Sequence, residues 1–143
     1  MAQEFKLIAD SVPTVYKVVT IASQAYAIGD AVQWSRTAAD VTPATSSTIT
    51  ANIAGVAVSA QTSADTTLLI ALASDTQTWA ADATNAPNIT HNYQRMALTD
   101  KGTVNNTGSD QTGTSGIFEQ TGIYPGGVTT RIVGRFLVGH DTT

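Results

Sequence analysis

Cysteine is absent from the 143 residues, which removes disulfides and thiolate metal sites from consideration. Charge is scarce: 13% of residues are charged, where about a quarter is usual, and a disordered solvating tail needs far more. Histidine occurs only as His91 and His140. The two lie far apart in the chain, and a zinc centre with three or four ligands would have to recruit aspartates around them. No apolar run approaches the ~20 residues of a membrane-spanning helix. Met1 to Asp10 shows neither a long apolar core nor a small-residue cleavage pattern, so no secretory leader is expected. The expectation is a soluble chain made in the cytoplasm, where the glycosylation-type triplets Asn88-Ile89-Thr90 and Asn105-Asn106-Thr107 are chance matches.

Positive charge is missing from the middle of the chain. No Lys or Arg falls between Arg36 and Arg95, a stretch that holds Asp40, Asp65, Asp75 and Asp82. The formal net charge is -4. Such a middle repels phosphate backbones, so nucleic acid is not an expected partner. The basic residues sit in the two end thirds, and a face that meets an acidic partner would include Arg131 or Arg135. The alternative for both arginines is a solvated strand position.

Thr and Ala are abundant, whereas the helix formers Lys, Glu and Leu are few. That balance leans to β-structure. Short β-type runs follow Gly-Asp or Ser-Ala-Asp turns. Gly29-Asp30 precedes Ala31–Trp34, and Ser63-Ala64-Asp65 separates Ile53–Ser59 from Thr66–Leu72. Val15–Ile21 is dense in β-branched residues, and Gln77–Ala81 is a short strand centred on Trp79. Ile117–Thr121 and Arg131–Val138 close the chain around a turn at Pro125-Gly126-Gly127. Consecutive apolar positions in the Ile53 and Thr66 runs predict burial on both faces or at a protein contact. In the last run Ile132, Phe136 and Val138 share one face, and Arg131 and Arg135 the other. Gly55-Val56-Ala57 leading to Leu68-Leu69-Ile70 is echoed by Gly116-Ile117-Phe118 leading to Arg131-Ile132-Val133, as two equivalent hairpins would be.

Thr37–Thr50 and Asn105–Gly116 read as long polar loops, and Asp82–Ile89 as irregular. Thr90–Leu98 is the only stretch that suits a helix, capped by Thr90 or Asn88, with a strand as its alternative. The predicted fold is therefore all-β: a small antiparallel β-barrel or sandwich with long polar loops, at most one short helix, and an extended N-terminal arm. Residues 1–14 form that arm and residues 15–143 a single β-rich domain. Within the arm, Phe5, Leu7 and Ile8 form an apolar cluster before Pro13. A first edge strand is the other reading of the same residues.

Little of this sequence carries reaction chemistry. No Gly-x-Ser-x-Gly elbow occurs, and Gly113-Thr114-Ser115-Gly116 only brushes that pattern inside a polar loop. Asp30, Asp65 and Asp100 each sit at a turn, where a carboxylate accepts backbone N–H groups. The loop around Asp110 lacks EF-hand spacing. Trp34 and Trp79 suit either the core or a sugar-binding face, while Tyr16, Tyr93 and Tyr124 suit half-wet contact positions. No enzyme, cofactor or metal is expected.

The blocks Ala27-Ile28-Gly29-Asp30-Ala31-Val32, Ile53-Ala54-Gly55-Val56-Ala57 and Thr67-Leu68-Leu69-Ile70-Ala71-Leu72 resemble the small capsid decoration, or cement, proteins of tailed phages. Tyr93-Gln94-Arg95-Met96-Ala97-Leu98-Thr99-Asp100, Thr103–Thr107 and Ile132-Val133-Gly134-Arg135-Phe136 resemble virion proteins of phages of aquatic bacteria. The resemblance spans residues 15–138 and rests on turn-and-strand patterns. It implies a structural virion protein that binds the outer surface of an expanded head, bridges major capsid subunits and opposes internal pressure. It also implies an N-terminal arm as a contact element and a trimer as the favoured homo-oligomer, with dimer or monomer as alternatives. The expected contact surface is then the arm, with Phe5, Leu7 and Ile8, together with a strand edge or loop. Two readings from other classes stay open: a carbohydrate-binding or host-adhesion module using Trp34, Trp79 or the tyrosines, and a tail or head-completion protein.

Overall fold

The computed structural model describes residues 5–21, 24–35, 40–106, 114–124 and 131–138. The chain is all-β. Its strands are β1 (Phe5–Asp10), β2 (Tyr16–Thr20), β3 (Ala31–Trp34), β4 (Val41–Pro43), β5 (Ile53–Ala57) and β6 (Thr67–Leu72), then β7 (Gln77–Ala83), β8 (Arg95–Met96), β9 (Leu98–Asp100), β10 (Thr103–Val104), β11 (Phe118–Ile123) and β12 (Arg131–Phe136).

Two sheets divide these strands. The larger runs β8-β11-β12-β7-β10-β9, with β1 also paired to β7. Only Ala97 separates β8 from β9, so the two ends of that order are one stretch of chain and the sheet nearly closes into a barrel. The smaller runs β2-β6-β5-β3-β4. A bridge from Ile21 to Val41 brings its two ends together at one corner. Both echoed segments form antiparallel pairs, β5 with β6 and β11 with β12.

The alternation of side chains builds two cores. The first holds Trp79, Met96, Leu98, Phe118, Ile132 and Phe136 from the larger sheet, and it also takes Ala31, Ile53, Val56 and Ala71 from the smaller. The second lies on the other face of the smaller sheet, around Val19, Val32, Val41, Leu68 and Ile70. Strands β3, β5 and β6 form the shared layer, and β5 shows it most fully. Ile53 and Val56 face one core, Ala54 and Ala57 the other, and all five of its residues are buried. Consecutive apolar residues are what a strand needs when both faces are dry.

Several expectations are corrected. Residues 5–10 are docked as β1 along β7 in antiparallel register from Phe5↔Ala81 to Asp10↔Gln77, the edge-strand alternative to a free arm. Thr90–Leu98 holds no α-helix. Asn88 accepts the Thr90 amide (3.0 Å) and caps a single 3-10 turn, Ile89–His91. Tyr93 then enters the left-handed region (φ 69°), and the chain bonds to β11 instead, with the Tyr93 amide on the Gln120 carbonyl at 2.6 Å. Asp82 and Ala83, expected to be irregular, continue β7.

The first polar loop is not an exposed one throughout. Val41–Pro43 forms β4, and Thr48 and Thr50 are buried. The Thr48 hydroxyl accepts the Thr45 amide (2.9 Å) and donates to Gln33 (3.0 Å), so hydroxyls replace water as partners there. Asn106, at the start of the second polar loop, is also buried and exchanges two bonds with the Asn85 backbone (2.7 and 2.9 Å). The middle of that loop, with Asp110, and the Pro125-Gly126-Gly127 turn lie outside the described residues, as does His140.

Candidate protein-contact face

The expected contact residues do not come together as one surface. Phe5 is 2% exposed and packs against Phe118 and Phe136 at ring-centroid distances of 5.8 and 5.1 Å. It belongs to the core because all three phenylalanines and Trp79 form one cluster of offset and edge-on rings. Leu7 is half-buried beside it. The β1–β7 register shifts between Leu7 and Ala9, and this bulge leaves Ile8 unpaired and exposed.

The two arginines are held within the protein. Arg131 is 6% exposed, lies 2.7 Å from the Asp82 carboxylate and stacks over Tyr124 at 5.5 Å. Its buried guanidinium needs that carboxylate close by. Arg135 bonds Glu119 at 2.9 Å across the β11–β12 pair. Neither offers a free cation to an acidic partner.

Most of the exposed large apolar residues among those described gather where β1 and β2 approach each other, while Ile89, Tyr93 and Ile123 are exposed elsewhere. On β2, Val19 points into the second core, so Tyr16, Val18 and Thr20 point to the opposite face. Across the pair, Leu69 on β6 lies opposite Val18. Over β3 and β5 this same face is covered by the larger sheet. Strands β2 and β6 overhang that cover, so Val18 is 62% exposed, Tyr16 54% and Leu69 38%. Val12, Val15, Ile28 and Ile8 are exposed as well.

Two clefts flank this strip. One, of about 160 Å³, opens between β1 and β2, with Leu7, Tyr16 and Ile28 on its walls, Val56 and Trp79 among its lining and Lys6 beside them. The other, of about 250 Å³, lies between Val12–Val15 and Leu72–Gln77. Lys17 lies on the second-core side of β2, its ammonium 5.8 Å from the Trp34 ring centroid. An apolar strip with cleft walls and a basic margin suits a protein contact better than a small-molecule site.

A third cleft, of about 430 Å³, is different. Thr45, Ser46, Thr99, Asp100, Lys101 and Thr103 are among its lining residues. Its cation is already paired: Lys101 Nζ lies 3.1 Å from the fully buried Asp30 carboxylate. Asp30 also accepts the Ala27 amide (2.9 Å), and the Ala31 amide donates to the Lys101 carbonyl (2.8 Å). These bonds fasten the Gly29-Asp30 turn of the smaller sheet to the β9–β10 turn of the larger. Asp65 and Asp100 likewise accept amides of their own turns, from Thr62 (2.7 Å) and Gly102 (2.8 Å).

Trp79 is interior, its indole N–H donating to Gln77 at 3.1 Å, and Trp34 is half-buried against the second core. Among the described residues no three metal-ligating side chains converge. No helix among them is long and apolar enough to cross a membrane. A comparison with family models, curated proteins and solved structures found no match to this chain.

The sequence signal for the overhang is Val15-Tyr16-Lys17-Val18-Val19. Apolar residues at both parities mean that two faces are apolar, and only one can be the second core. Tyr16 is legible in the sequence as a contact position and Leu69 as part of a run that is either buried or at a protein contact; nothing in the sequence singles out Val18.

Proposed function

We propose that this chain is a structural virion protein that binds the outer surface of an expanded phage capsid and bridges major capsid subunits to stabilise the head. The observation that carries this reading is the uncovered apolar overhang around Tyr16, Val18 and Leu69 at the edge of the smaller sheet. The resemblance of the turn-and-strand blocks to cement proteins supplies the class of partner. Binding that favours the expanded lattice stabilises that lattice by mass action. Such a role needs a compact fold and an adhesive face, and it needs no reactive centre. The proposed location is the outside of the virion after synthesis in the host cytoplasm. Neither nucleic acid nor membrane is a proposed partner, and the proposed oligomer is a trimer.

Sedimentation with expanded heads that lack the protein, and with unexpanded precursor shells, tests the proposal. Saturable binding to expanded heads alone is expected, and Val18→Asp should weaken it while leaving the fold intact. Absence of binding to either shell would remove the capsid role for that phage and direct effort to sugar arrays and tail assembly.

A further inference from the structure

Among the described residues, no strand pairs with one side of the β2 backbone. The Leu72 amide donates to the Val15 carbonyl (2.9 Å) and the Ile21 amide to the Thr66 carbonyl (3.1 Å). With the register Tyr16↔Ala71 to Thr20↔Thr67, these bonds fix the phase of the ladder. Val15, Lys17, Val19 and Ile21 bond to β6. Tyr16, Val18 and Thr20 turn their N–H and C=O groups to the other side, where no strand among the described residues pairs with them. Only at the far end does the Ile21–Val41 bridge close the corner. Open backbone groups beside exposed Tyr16 and Val18 form a template for an added strand.

The charges select the occupant. The protein is acidic overall, yet Lys6 and Lys17 both stand at this edge. The nearby Asp10 carboxylate is turned onto Thr14, accepting its hydroxyl (2.6 Å) and its amide (2.9 Å). A second copy pairing in two-fold register about Val18 would set Lys17 of each copy diagonally across the same face, like charge near like charge. An acidic segment meets no such conflict.

We propose that β2 accepts an extended segment of a partner protein as an added strand, and that this segment alternates apolar residues, which lie along Tyr16 and Val18, with acidic residues on the opposite face, which meet Lys17. This deepens the adhesive reading above by naming the chemistry of what is bound, and it stands whether or not the partner is a capsid.

The test uses the full chain and short capped peptides that alternate valine or threonine with glutamate, or with lysine as the control. Amide chemical shifts are followed by NMR. The glutamate peptide should shift and protect the amides of Tyr16, Val18 and Thr20, and the lysine peptide should bind more weakly. Val18→Pro removes one outward N–H where an edge strand tolerates proline, and it should weaken binding by about tenfold. Should that variant misfold, Lys17→Glu serves instead, and it should reverse the preference between the two peptides. Shifts elsewhere on the surface, no shifts, or equal response to both peptides would overturn the proposal. Self-association that protects the same amides without peptide would overturn it in favour of a second copy. Failure of the chain to bind heads while the glutamate peptide docks on β2 would sink the capsid reading alone.

Discussion

Gly55 and Gly134 each sit in a strand where a Cβ has no room. A Cβ on Gly55 would collide with the Ala71 carbonyl oxygen and come within 2.9 Å of its carbon. A Cβ on Gly134 would collide with the Glu119 carbonyl and stand 2.5 Å from the Phe118 ring. Backbone cannot give way as a flexible side chain can, so Gly55→Ala should lose about 1–3 kcal/mol in urea unfolding. Asp10 acts at the same scale. The Thr14 hydroxyl first, and then its amide, hold the Asp10 carboxyl below its ordinary value of 3.8. A depressed folded pKa means that its stabilisation is present above that ordinary value and is lost as pH falls below it, through the folded pKa. Thermal melting followed down through that window should fall less steeply in Asp10→Asn than in the parent protein.

At the scale of elements, β1 is part of the fold. Its ladder covers one side of β7, and Phe5 completes the aromatic cluster. Phe5→Ala should cost about 3–5 kcal/mol. Deletion of residues 1–10 should abolish the sharp thermal transition; a truncated protein that melted as cooperatively as the full chain would restore the free-arm reading. Strands with clear β-branched or two-faced apolar runs were legible from sequence: β3 matches its expected span, and β5 and β6 differ only at their ends. The 90–98 region was not, since its backbone is settled by bonds to β11, a partner remote in sequence. The polar 37–50 stretch failed for a related reason. Thr48 is satisfied by Gln33 and by the Thr45 amide, and composition cannot reveal that pairing.

Among the described residues the molecule has two cores divided by one shared sheet, in which β3, β5 and β6 each face both. Trp79 reports the first core and Trp34 the margin of the second. Because β5 faces both, and the Asp30–Lys101 pair joins turns from both sheets, the cores should unfold together. Trp34→Phe and Trp79→Phe variants, each with one remaining indole, should give coincident fluorescence transitions in urea. Separate midpoints would mean that the sheets unfold as two units. The amino-acid sequence by itself determined the all-β class, the turn-forming aspartates and the two-faced burial of β5, because these depend on side-chain period and on bonds between near neighbours. Only the tertiary structure decided which apolar residues are left over. Phe5 and Ile8 have the same local character, yet one completes a ring cluster and the other is thrown outward by a bulge. Val18 and Val19 are identical in sequence terms, and they part because the larger sheet ends before it covers β2. Exposure depends on where a distant sheet stops, and no local pattern encodes that.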